Sequence, residues 1–304
     1  MILPKKTALV GILGNPVSHS LSPIMHNAAL KSLGLNWLYI PLPINNTSLE
    51  ILVQNLSNID CRGFNITIPH KEIIAQLATE LTPIAKRVGA VNTFIREPNT
   101  NNGWLGTNTD VEGFINSLKN NHINLSQKRA VILGCGGSAR AILVALVELG
   151  VASIRVIGRD IYKLTKFTDN YQYLHPDLSA VTWNETESKE LELKLFEKTL
   201  TNADLIVNTT PIGMTNVSIS SSALLSPLTE SYLDRLKSNV VIYDLIYTPR
   251  PTVLLKKSAE RGFICIDGLE MLVEQGAASL KLWTGLKSVP TNIMRNSALN
   301  KLRN

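Results

Sequence analysis

The stretch Ala130-Val-Ile-Leu-Gly-Cys-Gly-Gly-Ser-Ala-Arg-Ala141 reads as a buried strand, a glycine turn and the start of a helix. Gly134, Gly136 and Ala139 stand in G-x-G-x-x-A spacing. The first glycine permits the tight turn, and the second lets a pyrophosphate approach backbone N–H groups. The small third residue lets helix and sheet pack, and the helix N-terminus adds positive potential. Taken alone, such a turn fits any tight strand-to-helix connection. Set between an apolar strand and a helix, it predicts a dinucleotide-binding unit.

Strands expected at 153–157, 205–208, 240–244 and 263–267 follow it, separated by helical stretches, which predicts a parallel sheet covered on both faces. The second strand ends Ile157-Gly158-Arg159-Asp160, with Asp160 lying 26 residues after Gly134. An acidic residue there favours NAD by bonding the ribose 2′-hydroxyl, whereas Arg accommodates the 2′-phosphate of NADP. Asp160 also suits the N-cap of the next helix, and both readings stay open. Arg159 sits nearer the strand end and Lys163 follows on the first helical turn, so two cations could converge on one phosphate; NADP is expected over NAD. Residues 165–200, rich in Glu, Lys and Asn, read as surface helices without chemistry, and the helical stretch 270–286 has no strand left to feed.

Upstream, apolar strands at 8–13, 37–42 and 63–67 alternate with helices starting near residues 23, 47 and 71, again an α/β pattern. Segments 91–96 and 104–107 flank Asn102-Gly103, a hairpin signal, and a helix starts near Thr109. A polar stretch, 116–127, separates the two series.

At 304 residues and 44% hydrophobic content the chain suits two globular domains. The apolar run at 141–147 falls far short of the roughly 20 residues of a membrane span, so no membrane association is expected. The N-terminus does not read as a secretory signal, which predicts a cytoplasmic protein. Cys61, Cys135 and Cys265 are widely spaced and expected as buried thiols, and the five histidines show no ligand spacing, so no metal is expected. The net charge of +6 is scattered in pairs such as Lys128-Arg129 and Lys256-Lys257. Nucleic-acid binding would want a stripe, so a basic solvated surface, or a field attracting a small anion, fits better.

Two polar clusters at strand ends, Gly63-Phe-Asn-Ile-Thr-Ile-Pro-His-Lys71 and Gly106-Thr-Asn-Thr-Asp110, offer a lysine and a carboxylate where α/β units form ligand crevices. A structural salt bridge is the plainer reading of that pair alone. Five more clusters follow in order: Gly14-Asn-Pro-Val-Ser-His-Ser-Leu-Ser-Pro23, Gly89-Ala-Val-Asn-Thr93, Asn208-Thr-Thr-Pro-Ile-Gly-Met214, Asp244-Leu-Ile-Tyr-Thr-Pro249 and Gly268-Leu-Glu-Met-Leu-Val-Glu-Gln-Gly-Ala277.

This ordered series, from about Val10 to Gly285, closely resembles the shikimate dehydrogenase family. The resemblance implies NADP-linked interconversion of 3-dehydroshikimate and shikimate, on the route to aromatic amino acids. It implies an α/β substrate domain (1–110 with 270–304) and a Rossmann-type, doubly wound NADP-binding domain (111–269), with the active site in the cleft between them. Because the last helices return to the substrate domain, the stranded segment 270–286 is accounted for.

Carried over by motif, Lys71 and Asp110 are the catalytic pair, and Ser20 and Ser22 receive the substrate carboxylate beside Thr67 and Tyr247. The resemblance implies that Asn92 and Gln275 hold ring hydroxyls, and that the coenzyme meets Gly134, Cys135, Gly136, Gly137, Ser138, Arg159, Lys163, Leu245 and Gly268. Two places depart from the family pattern: Gly158-Arg159-Asp160 replaces Asn-Arg-Thr, and Asn208-Thr-Thr-Pro211 replaces Asn-Ala-Thr-Ser.

The chemistry also follows from the residues. Hydride delivery to a ketone puts negative charge on oxygen, so a proton donor must lie within reach. Lys71 qualifies, and a carboxylate ~4 Å away is worth about 4 kcal/mol at an effective dielectric of 20, enough to keep an ammonium under moderate burial. Plainer roles stand beside these: Ser22 before Pro23 as a helix N-cap, Thr67 as a strand end, Asn92 as a turn cap, Gln275 on a solvated helix face. Rival functions are an NAD-preferring quinate/shikimate dehydrogenase, a non-catalytic ligand-binding regulator on the same fold, and an unrelated Rossmann reductase. The oligomeric state is left open, a homodimer included.

Overall fold

The computed structural model describes residues 7–56, 58–97, 103–183, 190–214 and 226–303. The chain divides into two compact units, residues 1–117 with 270–304, and 118–269. Two expectations, the turn residue Asn102 and the N-terminal segment before Thr7, lie outside the described residues.

In chain order the first unit contains β1 (Ala8–Gly14), α1 (Ser22–Ser32), β2 (Trp37–Pro43), α2 (Asn46–Leu56), β3 (Cys61–Ile66), β4 (Glu80–Leu81), α3 (Pro83–Val88), β5 (Thr93–Arg96) and β6 (Trp104–Thr107). The helix α4 (Asp110–Asn120) follows. The sheet order is β2-β1-β3-β5-β6-β4. β1 pairs in parallel with β2 and β3, while β5 runs antiparallel to both β3 and β6, as the hairpin reading required. Alternation along β3 and β5 puts Phe64 and Phe94 into the core, where they meet Trp104 with ring centroids 4.9–6.0 Å apart. The Trp104 indole N–H donates to the Val53 carbonyl at 3.2 Å, so this aromatic cluster leaves no buried donor unpaired.

The second unit contains β7 (Arg129–Leu133), α5 (Gly137–Glu148), β8 (Ser153–Gly158), α6 (Ile161–Tyr171), β9 (Leu178–Thr182), α7 (Glu190–Asn202), β10 (Leu205–Asn208), α8 (Glu230–Leu233), β11 (Val241–Asp244), α9 (Val253–Ala259) and β12 (Ile264–Ile266). Its sheet is parallel throughout, in the order β12-β11-β10-β7-β8-β9. That is the doubly wound arrangement, with the strand order reversing at β7, the strand that feeds the glycine turn. The long α10 (Gly268–Thr284) and α11 (Thr291–Arg303) close the chain, and α11 packs on α1.

Four local expectations are corrected. The segment after Lys71 is a short 3-10 turn, Ile73–Leu77, where an α-helix is predicted. The stretch 165–200 contains β9, an edge strand whose half-buried Leu-Ser-Ala-Val-Thr gives little contrast between its faces. The polar segment from residue 116 belongs in its first part to α4. Of the three free thiols only Cys61 is buried; Cys135 and Cys265 are half-buried.

Candidate active site

The lysine and the carboxylate meet. Lys71 Nζ donates to Asp110 Oδ2 at 2.6 Å, and both side chains are largely withdrawn from solvent, 16% and 9% exposed. Lys71 sits in the turn after β3, its backbone carbonyl taking the Val91 N–H at 2.8 Å; Asp110 opens α4, its own N–H donating to Asn108 Oδ1 at 3.0 Å. A carboxylate in a first helical turn suits the positive end of the helix dipole.

Asn92, at the start of β5, completes the pair. Its Nδ2 donates to Asp110 Oδ1 at 2.8 Å, so the two carboxylate oxygens face different donors. Its Oδ1 accepts the Thr109 backbone N–H at 2.8 Å. Gln275, on α10, brings Oε1 to 3.5 Å from both Asn92 Nδ2 and Thr109 Oγ1, while its Nε2 donates to the Leu272 carbonyl at 3.0 Å. Asn92 is therefore no turn cap, and Gln275 does not lie on a solvated face.

Ser20 and Ser22 sit at the start of α1, where the Ser20 hydroxyl accepts the Ser22 N–H at 3.2 Å. The N-cap role for Ser22 is not realised: Leu21 is the capping residue and no side chain caps α1. Thr67 stands just past β3, its N–H donating to the Leu13 carbonyl at 2.8 Å. All seven of these residues, from Ser20 to Gln275, belong to the first unit.

Sequence reading passed over a layer of polar groups behind Asn92. Asn65, Thr93, Thr109 and Ser279 are buried and linked to one another, Asn65 Nδ2 donating to Thr93 Oγ1 at 3.0 Å and to Ser279 Oγ at 2.9 Å. The signals were there. Asn65 is a poor strand former in the middle of an apolar strand, Thr93 and Thr109 adjoin motif residues, and Ser279 lies one helical turn beyond Gln275.

In the second unit the glycine turn has the geometry a dinucleotide needs. Gly134 has φ +103, a region open to glycine, and a side chain there would press on Thr209 Oγ1. Cβ atoms at Gly136 and Gly137 would meet nothing within 4 Å, so a phosphate has room against the backbone. No side chain caps α5, which leaves its first N–H groups, up to Ser138 and Ala139, available to an anion. Cys135 lies in this turn, with burial raising its thiol pKa. The residues present fit a pyrophosphate.

At the end of β8, Asp160 is the N-cap of α6: its Oδ1 accepts the Lys163 N–H at 3.1 Å, and its Oδ2 lies 3.6 Å from Lys163 Nζ. Lys163 thus faces Asp160, and Arg159 beside them is exposed. Leu245 and Gly268 come together, a side chain at Gly268 being excluded by the Leu245 carbonyl oxygen. Tyr247 lies with them in the second unit, on the segment after β11.

Comparisons with known proteins bear on the family. Residues 12–94 match the family model "Shikimate dehydrogenase substrate binding domain" and residues 268–299 match "Shikimate 5'-dehydrogenase C-terminal domain". A shikimate dehydrogenase (NADP(+)) of Nostoc sp. is 43% identical over 300 residues, 98% of each chain. The crystal structure of shikimate 5-dehydrogenase from Thermus thermophilus with NADP(H) and shikimate superposes with a TM-score of 0.81 at 31% identity, covering 96% of this chain and 99% of that one. The Listeria monocytogenes enzyme, crystallised with shikimate and NAD, gives 0.82 at 28% identity, covering 97% of each chain. With the Lys71–Asp110 pair, the amides beside it and the glycine turn in place, and with relatives matched end to end, this chain belongs to the shikimate dehydrogenase family.

Proposed function

We propose that the protein catalyses the reversible, NADP-linked reduction of 3-dehydroshikimate to shikimate, with Lys71 as proton donor and acceptor. The observation that carries this is the 2.6 Å contact between Lys71 Nζ and Asp110 Oδ2, with Asn92 Nδ2 on the other carboxylate oxygen. A reduced nicotinamide supplies the hydride when bound. Lys71 gives a proton from Nζ to the ketone oxygen as charge develops there, and takes it back in the oxidation direction. Asp110 holds the ammonium in place and balances its charge. Asn92 and Gln275 present polar atoms to the ring hydroxyls, and Ser20 and Ser22, with Thr67, receive the carboxylate. Replacing Lys71 by Ala is expected to lower kcat by roughly 10²–10⁴-fold, the range of a general acid–base group, while NADP binding persists. Turnover within a fewfold of the wild type would refute proton transfer by this side chain.

NADP is the coenzyme we favour over NAD. Among the described residues Arg159 has no ion pair, whereas one oxygen of Asp160 is engaged as a helix cap, so the group free to meet a 2′-substituent is the cation. The Listeria enzyme crystallised with NAD shows that the fold also admits that coenzyme. Losing a charge-assisted contact to a phosphate costs about 1.5–3 kcal/mol, so Arg159→Ala should weaken NADP binding roughly 10- to 100-fold and leave NAD nearly unchanged. Preference for NAD, or faster turnover of quinate, in the wild type would instead favour the quinate/shikimate reading. The free thiols fit a reducing compartment, and we place the reaction in the cytoplasm.

A further inference from the structure

One route of hydrogen bonds behind the Lys71–Asp110 pair leads to it, and groups with a single hydrogen-bonding sense fix the direction of that route. The Asn92 backbone carbonyl only accepts, so the Asn65 atom 3.3 Å from it is Nδ2, and Asn65 Oδ1 takes the Tyr39 hydroxyl proton at 2.8 Å. The Thr109 N–H only donates, so the Asn92 atom 2.8 Å from it is Oδ1, and Nδ2 is left facing Asp110. Between these two amides stands the Thr93 hydroxyl, 3.0 Å from Asn65 Nδ2 and 2.9 Å from Asn92 Oδ1. It accepts from the first and donates to the second. Ser279 Oγ, 2.9 Å from Thr93 Oγ1, has its own acceptor in the Gln275 carbonyl at 3.0 Å. One route therefore runs from Tyr39 to Asn65 to Thr93 to Asn92 to Asp110, while branches leave it from Asn65 Nδ2 to Ser279 Oγ at 2.9 Å and from Asn92 Nδ2 to Thr109 Oγ1 at 3.0 Å. All five residues of the route are buried, Thr93 completely. Bonds aligned in this way polarise one another where water cannot compete.

We propose that Thr93 is a positioning residue for the reaction: its hydroxyl, wedged between Asn65 and Asn92, adds to the Thr109 N–H in holding the Asn92 amide with its NH2 group on Asp110, and so steadies the carboxylate against which Lys71 is held. The inference rests on the catalytic role proposed above for Lys71 and Asp110. Thr93 touches none of the reacting groups itself. Its effect passes through Asn92.

Thr93→Val keeps the branched shape and deletes the hydroxyl, while Thr93→Ser keeps the hydroxyl. In shikimate oxidation Thr93→Val is expected to lose at least tenfold in kcat with the KM for NADP within twofold of the wild type, and Thr93→Ser to recover to within threefold. Thr93→Val within twofold of the wild type would overturn the proposal, as would equal losses in both variants, which would trace the effect to shape. Side-chain amide exchange of Asn92, followed by NMR, gives a readout independent of turnover. It should speed up at least tenfold in Thr93→Val and not in Thr93→Ser, and unchanged exchange in Thr93→Val would sink the idea. A wild type unable to oxidise shikimate would refute the functional reading, while the exchange rates would still judge the positioning role. Should Thr93→Val not fold, Tyr39→Phe breaks the chain two bonds away and keeps the ring that stacks on His26. Because the Tyr39 hydroxyl also meets Ser22, the readout there is exchange alone: faster Asn92 exchange is expected, and a wild-type rate would overturn the proposal.

Discussion

His26 is a buried base. Its ring lies parallel to Tyr39 at 4.3 Å, and among the described residues neither ring nitrogen has a hydrogen-bond partner. Burial lowers its pKa from 6.5 to about 3. The folded protein therefore holds this group neutral over a range where the unfolded chain takes up a proton. Stability from this source is complete above pH 6.5 and is lost as pH falls from 6.5 toward 3, at about 1.4 kcal/mol per pH unit. In urea unfolding, His26→Leu should gain on the wild type by about 2 kcal/mol between pH 7.5 and 5.0. A constant difference across that interval would show that His26 is not the group responsible. Catalysis has its own test at this scale. Asp110→Asn keeps the shape and an acceptor for Lys71 but removes the countercharge, and should lower kcat by at least tenfold, about 1.4 kcal/mol of transition-state stabilisation. An unaffected kcat would leave the ion pair a purely structural feature.

Among the elements, α6 and α10 show how a local signal is given its meaning by its neighbours. Arg159 reads as the favoured coenzyme selector, and Asp160 reads equally as a selector or a cap; the start of α6 engages the aspartate as its cap. Asp160→Ala should cost roughly 1 kcal/mol in stability, the usual worth of an N-cap, and should tighten NADP by freeing Lys163 of its neighbour. Calorimetric titration of NADP checks this, and weaker binding would return Asp160 to the coenzyme site. The start of α10 is steric. Gly268 lies against the Leu245 carbonyl, backbone that cannot rotate away, so Gly268→Ala must shift one of two segments assigned to the coenzyme. A rise of about tenfold in the KM for NADP is expected, with stability lowered by roughly 1–3 kcal/mol. Edge elements were the least legible part of the chain. β9 and β4 are short and only partly buried, and a strand with one weakly apolar face and no neighbour on one side leaves little periodicity to read.

At the scale of the whole molecule, one buried group in each unit, His26 and Asp244, responds to pH in opposite senses. In the second, Asp244 accepts from Asn208 Nδ2 at 2.9 Å and from Thr252 Oγ1 at 2.7 Å, and burial still raises its pKa from 3.8 to about 6. A raised carboxylate binds its proton more tightly in the fold. Its contribution is therefore present below pH 3.8 and lost as pH rises through 6, a swing of about 3 kcal/mol. Acidification from pH 7 to 5 thus withdraws support at His26 in the first unit and adds it at Asp244 in the second. Hydrogen exchange corrected for intrinsic rates should rise more in peptides of the first unit, and the reverse order would show that other groups dominate. The two α/β series, the strand–turn–helix of the coenzyme unit and the ordered clusters that name the family are legible along the chain, because strand periodicity, glycine turns and motif spacing are properties of neighbouring residues. Folding in three dimensions settles that Lys71 and Asp110 touch, that Asp160 serves as a helix cap, and that Asn65, Thr93 and Ser279 stand behind Asn92. Those partners lie up to 214 residues apart, as in the bond from Asn65 to Ser279. The direction of a hydrogen bond is fixed by the atom across from it, and that atom is known only once the chain has closed on itself.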